Sequence, residues 1–178
     1  VRIQYPSDTR FVVLPMDMEL MRHGPVTEDL DTQHQKLFDL ADQHPGRIIP
    51  FCTVHPDRDD ADQRVARYLD QGARGLKIYP RLGYPPDHPM LMQRVYPMLG
   101  EGDWPVMTQC SRGGVAERGL GQRLGDEFCA PRALIPVMQT FPDLRVCLAH
   151  FGGQDDWLDY VKGRIDPLAP DAERKNWM

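Results

Sequence analysis

Short apolar runs alternate with helix-like segments along most of the chain, and few folds accommodate that alternation. The runs begin near residues 11, 48, 75, 105 and 146, so one recurs every 27 to 41 residues, which suits a strand, a helix and two connections. We expect each run to be a strand buried on both faces. Repeated strand and helix units form a parallel sheet. The five runs are Phe11 to Met16, Ile48 to Val54, Gly75 to Tyr79, Pro105 to Cys110 and Val146 to His150.

Four segments between the runs carry apolar residues at helical spacing and are predicted to be amphipathic helices. Pro97 and Pro136 fall inside two of them and should kink or shorten them. The longest strand-to-helix connection, Ser111 to Ala130, shows no clear regular element. Because such connections commonly form lids or binding loops, we place the ligand site at the carboxyl ends of the strands. The helical segments are 30 to 41, 61 to 69, 91 to 99 and 134 to 141.

Two α/β architectures fit this pattern: an open doubly wound sheet and a (β/α)8 barrel of the TIM type, which takes ~250 residues. The chain has 178 residues, so a barrel would be partial. A nucleotide-binding sheet has one supporting string, Gly119 to Gly125 with G-x-G-x-x-x-G spacing, but no apolar strand precedes it. The sequence contains no phosphate-loop and no serine-elbow motif.

The charge of the chain is modest, since 21 Lys and Arg against 26 Asp and Glu give a formal net charge of −5. This argues against a nucleic acid or an anionic membrane as partner. Apolar runs of about six residues fall far short of the ~20 that cross a bilayer. We expect one cytoplasmic domain over residues 1–178, with four buried, reduced cysteines. The chain ends inside what resembles the start of a helix, at Asn176 to Met178, so we expect it to be a piece of a longer protein.

Polar side chains end or interrupt the predicted strands and should project toward one edge of the sheet. His150 ends the last run, and the turn at Gly152 and Gly153 should expose its imidazole for general acid, general base or metal-ligand chemistry. A hydrogen-bonded structural histidine is the alternative. The histidines expected at the surface or in loops, without chemistry, are His23, His34, His44 and His88. The residues predicted to bind substrate beside His150 are Asp17, His55, Lys77, Tyr79, Gln109 and Arg112.

Lys77 interrupts a buried strand, where an unpaired ammonium costs several kcal/mol. It can therefore pair with a substrate carboxylate, form a Schiff base, be carboxylated to bridge metals, or make a plain salt bridge. Gln109 stands at the corresponding end of the next strand. Its carboxamide is a poor metal ligand and suits the orientation of a water or a substrate oxygen.

Three strings resemble the central part of the amidohydrolase-related family, which includes aminocarboxymuconate semialdehyde decarboxylase, related aromatic-acid decarboxylases and pyrone-dicarboxylate lactonase. The resemblance runs from about residue 10 to 165 and rests on the last string together with the order and spacing of the other two. It implies a distorted (β/α)8 barrel, of which this chain supplies about strands two to six. The strings are Arg74 to Pro80, Trp104 to Ser111 and Phe141 to Gly153.

The resemblance also implies roles for two residues. His150 matches the strand-six histidine that lies beside the metal in decarboxylase and hydrolase members and handles water or proton transfer. Gln109 departs from the pattern, because metal-binding members have a histidine at that strand-five position. The family's strand-one H-x-H and strand-eight aspartate have no counterpart here. The implied cofactor is one divalent metal ion such as zinc, and metal-free hydrolysis, as understood for the lactonase branch, stays open.

The sequence therefore predicts a hydrolase or decarboxylase that acts on a small carboxylated organic substrate, with Lys77, Arg81 and Arg112 as basic residues near the mouth of the barrel. One alternative is a Schiff-base aldolase-type barrel that uses Lys77. The other is a catalytically silent fragment that binds a ligand or partner through open sheet edges. Such edges also favour self-association into a homo-oligomer.

Overall fold

The sheet consists of parallel strands that follow one another in chain order. The structure, a computed structural model, describes residues 4–162. The strands are β1 (Phe11–Val13), β2 (Ile48–Pro50), β3 (Cys52–Thr53), β4 (Leu76–Ile78), β5 (Val106–Thr108) and β6 (Val146–Leu148). β1 pairs with β2, and β3, β4, β5 and β6 pair in that order, all in parallel. This confirms the parallel α/β architecture that the alternation of elements predicts.

The segment predicted as one strand, Ile48 to Val54, bonds to both of its neighbours and divides into β2 and β3. The backbone N–H of Phe51 donates to the carbonyl of Val13 at 3.0 Å, on the β1 side. The next N–H, of Cys52, donates to the carbonyl of Gly75 at 2.9 Å, on the β4 side. The two short sheets therefore share this segment, and the strand order is continuous from β1 to β6.

Helices lie in the connections from β1 to β2, β3 to β4, β4 to β5 and β5 to β6, and the apolar spacing predicts at least one helix in each. The helices are α1 (Leu30–Gln43), α2 (Ala61–Asp70), α3 (Tyr96–Glu101), α4 (Gln122–Cys129), α5 (Ile135–Thr140) and α6 (Gln154–Val161). α1 begins after Asp29, whose carboxylate accepts a hydrogen bond from the N–H of Thr32 at 2.7 Å. A π-helical turn, Leu91–Val95, leads into α3, and Pro97, which has no N–H to donate, stands in the first turn of α3. Pro136 stands likewise at the start of α5.

The connection after β5 contains a helix that the sequence analysis did not predict. α4 occupies eight residues of the stretch from Ser111 to Ala130, and Gly121, with a φ of 76°, precedes it. Its buried residues are Gly125 and Cys129, which are too few and too small to register as an apolar stripe. The expectation of a long connection without regular structure is therefore wrong for its second half.

Burial differs between the central and the outer strands. Leu76 and Ile78 of β4 are fully buried and share one core cluster with Val65 of α2. The outer strands contradict the prediction of burial on both faces, since Val12 of β1 is 42% exposed and Cys147 of β6 is also exposed. Within residues 4–162 each outer strand has a sheet neighbour on one side only, so part of its surface lacks contacts. The other three cysteines are buried, as predicted.

His34 lies in the core, which corrects its predicted position at the surface or in a loop. Its Nε2 accepts a hydrogen bond from the backbone N–H of Thr53 at 3.2 Å, and its Nδ1 donates to the carbonyl of Leu30 at 2.8 Å. The ring stacks on Tyr68 with centroids 3.7 Å apart. His34 therefore links α1 to β3 through hydrogen bonds.

No helix within residues 4–162 combines the length and the apolar character that crossing a membrane requires. The helix start predicted at Asn176 to Met178 lies outside the described residues. The assignment of residues 1–178 to one domain stays a prediction.

Candidate active site

Two polar side chains meet at the carboxyl edge of the sheet, beyond β5 and β6, where the sequence analysis expected them. Gln109 directly follows β5 and His150 lies two residues beyond β6, and His150 Nε2 is 3.2 Å from Gln109 Oε1. The amide nitrogen of Gln109 donates to Ser111 Oγ at 2.5 Å, which turns the amide oxygen toward the imidazole. Because an amide oxygen only accepts, Nε2 of His150 donates in this pair, and Nδ1 is the basic nitrogen of the neutral ring.

The backbone at His150 bends away from the strand. His150 and Phe151 have φ angles of 57° and 54°, in the left-handed region, and Gly152 and Gly153 follow with 79° and 98°. Left-handed backbone costs a non-glycine residue roughly 1–2 kcal/mol, and residues with such strain often cluster at functional sites. The bend begins two residues earlier than the glycine pair predicts, and it leaves the imidazole exposed, as expected.

Lys77 lies in the middle of β4, on the opposite face from Leu76 and Ile78. The strand register pairs it with Thr53 of β3 and Met107 of β5, and residues paired in this way project from the same face of a sheet. We call this the inner face. Lys77 is only 6% exposed, and burial lowers its pKa from 10.5 to about 8. Among the side chains that the structure describes, no carboxylate pairs with its ammonium.

Tyr79 follows β4 and places a phenol near the same edge, with 9% of the residue exposed. A Cβ added to Gly114, in the connection after β5, would lie 3.2 Å from that hydroxyl, so the glycine leaves room for it. The N–H of Tyr79 donates to the hydroxyl of Tyr84 at 2.8 Å. Burial raises the pKa of Tyr79, which keeps the phenol protonated and able to donate a hydrogen bond at neutral pH.

Asp17 and His55 lie close together and have protein partners. Both carboxylate oxygens of Asp17 accept hydrogen bonds from Arg58, at 2.7 and 2.8 Å, and one also accepts from the N–H of His55 at 2.8 Å. The imidazole of His55 bonds through Nε2 to the carbonyl of Leu82 at 3.1 Å. Both residues are almost fully buried. Their predicted role in substrate binding stays a prediction, and their contacts show that they fix the connections after β1 and β3.

The two arginines predicted near the mouth have different surroundings. Arg81 is 2% exposed and bonds to Asp126 of α4 at 2.5 Å, so it anchors α4 rather than facing the mouth as expected. A Cβ added to Gly125 would lie 3.2 Å from this guanidinium, which explains a glycine in the middle of α4. Arg112 is half exposed, and its guanidinium is 3.9 Å from the carboxylate of Asp159 on α6.

Sequence reasoning missed Arg58, Asp126 and Ser111. Arg58 lies in the connection after β3, and Asp126 lies on α4. Their partners, Asp17 and Arg81, are 41 and 45 residues away along the chain, so no local spacing reveals the pairs. Ser111 does carry a signal. It stands two residues beyond Gln109, and a short hydroxyl side chain at that spacing reaches back to a strand-end amide.

Two cavities lie apart from the His150 and Gln109 pair. One of about 510 Å³ is lined by the connection after β1, including Met16, Met18 and His23. The other, of about 410 Å³, lies against α1 and β2 and includes Arg10 and Arg74. Neither of these two cavities is lined by His150 or Gln109.

The side chains that the structure describes do not by themselves fit a divalent metal ion. They include no group of three His, Cys, Asp or Glu residues placed to hold one. At the candidate site one imidazole faces an amide oxygen, and an amide is a weak ligand for zinc. The implied metal ion would need ligands beyond those of this site.

Comparisons with known proteins agree on one fold. A family model described as amidohydrolase matches residues 7–177. A solved structure of an amidohydrolase II is 20% identical, with a TM-score of 0.57, over 84% of this chain and 51% of that one. A 5-carboxyvanillate decarboxylase from Novosphingobium aromaticivorans, solved with manganese and a nitrobenzoic acid, is 18% identical, with a TM-score of 0.61, over 89% of this chain and 49% of that one.

A third solved structure, an uncharacterized TIM-barrel protein from Bordetella bronchiseptica, is 21% identical, with a TM-score of 0.50, over 64% of this chain and 38% of that one. A search of curated proteins found no match. The chain spans about half the length of the amidohydrolase II and of the 5-carboxyvanillate decarboxylase. The fold is therefore of the TIM-barrel type, and the described strands form part of such a barrel, as predicted.

Proposed function

Because this chain belongs to the amidohydrolase family, we propose that it contributes to a hydrolase or decarboxylase acting on a small carboxylated organic substrate, with His150 as the acid and base residue. The observation that carries the proposal is the contact between His150 and Gln109 at the carboxyl edge of the sheet. In TIM barrels this edge holds the reacting groups.

His150 has the geometry for proton transfer. Its exposed ring lies on a strained turn, and Gln109 holds Nε2 as the donor. Nδ1 can then take a proton from an attacking water. Once protonated, it can give a proton to the leaving oxygen in hydrolysis, or to the carbon from which carbon dioxide departs in decarboxylation. A side chain positioned in this way contributes typically 10²- to 10⁴-fold to a rate. The amide of Gln109 fixes the orientation of the ring.

Substrate binding is assigned to basic and phenolic groups of the same part of the fold. Arg112 is half exposed in the connection after β5 and offers planar donors to a carboxylate. The ammonium form of Lys77 and the protonated hydroxyl of Tyr79 provide further donors from β4 and its end. Asp17 and His55 hold the connections after β1 and β3, and we place these two residues at the margin of the binding region.

A metal ion in this family would act as a Lewis acid toward the substrate. The decarboxylase from Novosphingobium aromaticivorans was solved with manganese. Since the described side chains of this chain do not form a ligand set, we assign His150 and Gln109 to proton transfer and orientation, and no step of the proposal passes through a metal.

The test compares the native protein with two histidine variants. Decarboxylation of aromatic carboxylates, including 5-carboxyvanillate, is measured by the carbon dioxide released. Hydrolysis of lactones is measured by the change in absorbance. We expect His150→Gln to lower kcat at least ~100-fold, while His44→Gln, at the far end of α1, leaves kcat unchanged. Equal turnover by His150→Gln and the native protein would remove His150 from the reaction.

A further inference from the structure

Lys77 is the charged member of a row of residues on the inner face of the sheet. Thr53, Lys77, Met107 and Cys147 are paired in register across β3, β4, β5 and β6. Neighbouring strands are ~4.8 Å apart, so Thr53 and Met107 flank Lys77 in the row. The hydroxyl of Thr53 donates to the backbone carbonyl of Lys77 at 2.8 Å. Two residues before Lys77, the ring of Phe51 lies over Gly75, where an added Cβ would approach the ring to 2.6 Å.

The charges around Lys77 leave its ammonium poorly compensated. The groups that interact with it electrostatically are the thiols of Cys110, Cys129 and Cys147, and the structure pairs it with no carboxylate among the side chains it describes. Lys36, by contrast, is exposed and forms an ion pair with Glu28. A buried ammonium without a partner favours loss of its proton, and the neutral amine is the nucleophilic form.

We propose that the ε-amine of Lys77 binds carbonyl compounds covalently, as an imine, and that its ligands are small aldehydes or ketones bearing a carboxylate. This goes beyond the proposed hydrolysis or decarboxylation, because proton transfer by His150 requires no covalent intermediate. A carboxylate on the ligand suits Arg112, which lies in the connection that follows the neighbouring strand β5. Because Lys77 is only 6% exposed, a short ligand is expected.

The reaction balances without an oxidant. The lone pair of Nζ attacks the carbonyl carbon, and proton transfer from nitrogen to oxygen gives a carbinolamine. The hydroxyl then leaves as water, taking a proton from solvent or from an acid at the edge of the sheet, and a carbon–nitrogen double bond forms. Cyanoborohydride supplies a hydride to this imine and fixes it as a secondary amine.

The experiment treats the native chain with glyoxylate and cyanoborohydride and maps the carboxymethyl adduct by peptide mass spectrometry over the four lysines, Lys36, Lys77, Lys162 and Lys175. Lowering a pKa from 10.5 to about 8 raises the neutral fraction of an amine at pH 7 roughly 300-fold. Access to a buried amine is slower, so we expect labelling of Lys77 at least ~10-fold faster than labelling of Lys36. Its rate should level off above about pH 8, whereas the rate at Lys36 keeps rising.

The variants Lys77→Met and Lys36→Met are the matched pair. Lys77→Met should lose the fast label, and Lys36→Met should keep it. If Lys77→Met does not fold, the position of the adduct and the pH dependence of labelling in the native chain still test the proposal. A label spread evenly over the lysines, or none at Lys77, would overturn the proposal. Labelling needs no turnover, so its outcome is independent of the test of His150.

Discussion

Nε2 of His34 accepts a hydrogen bond from the backbone N–H of Thr53 at 3.2 Å. Thr53 lies beyond the last residue that pairs with β1, so the imidazole takes the place of a strand partner there. The other ring nitrogen donates to Leu30, so the ring must be neutral to make both bonds. Asp31, Asp17 and Arg67 are the charged groups that act on it, and Tyr68 stacks on it. A single side chain thus joins the first helix to the third strand.

Protonation of His34 should destabilise the fold. Burial lowers its pKa below the ordinary value of 6.5 in the native state. Below about pH 6.5 the unfolded chain therefore binds more protons, and the free energy of unfolding falls as the pH falls. Above that value the contribution is fully present. Urea unfolding between pH 5 and 8 measures it.

His34→Gln serves as the reference for that pH series. It removes the titrating group, so its free energy of unfolding should depend less on pH between 5 and 6.5 than that of the native protein. Parallel curves for the two proteins would mean that His34 titrates normally in the folded state.

Asp17→Asn should destabilise the protein by about 3 kcal/mol, because it removes the charge opposite a mostly buried guanidinium. Arg58 has a side-chain exposure of 14% and donates to both oxygens of Asp17. Asp60→Asn is the control, since Asp60 pairs with Arg64 from a half-exposed position. Chemical unfolding of both variants at pH 7 tests the difference, and equal losses would contradict a special role of the buried pair.

Gly75→Ala should cost about 1–3 kcal/mol, the range for an overpacked site. The new methyl group would meet the Phe51 ring at 2.6 Å and the backbone carbonyl of Pro105 at 2.7 Å, and the carbonyl cannot move without disturbing β5. Gly100 lies in α3 with nothing within 4 Å of an added Cβ. Gly100→Ala should therefore stabilise the helix by about 0.5–1 kcal/mol. Thermal unfolding of both variants measures the opposite signs.

Arg112→Ala should raise the KM of a carboxylate substrate about 5- to 10-fold, a value reduced for solvent screening at a half-exposed site. Arg123→Ala is matched to it, because Arg123 is exposed on α4 and pairs with Glu127, four residues away. Initial rates over a range of substrate concentrations test this, and an unchanged KM for Arg112→Ala would remove its assigned role.

The candidate site was predictable in part. His150, Gln109 and Lys77 could be found because each polar residue ends or interrupts an apolar run, and parallel strands bring such ends to one edge. α4 was not predicted, because an eight-residue helix whose buried residues are a glycine and a cysteine shows no helical spacing of large apolar residues. The neutral, buried state of His34 escaped for a related reason, because helical spacing alone does not say which face meets the sheet.

Local periodicity and connection lengths were enough to predict the parallel pairing and the edge at which polar groups gather. They left the open sheet and the barrel both possible, and the family resemblance favoured the barrel. Only the tertiary structure decided which polar groups pair. Asp17 reaches Arg58 and Arg81 reaches Asp126 across 41 and 45 residues, while Lys77 meets no carboxylate among the described side chains. Such pairings depend on packing between distant segments, and packing leaves no periodic trace in the order of the residues.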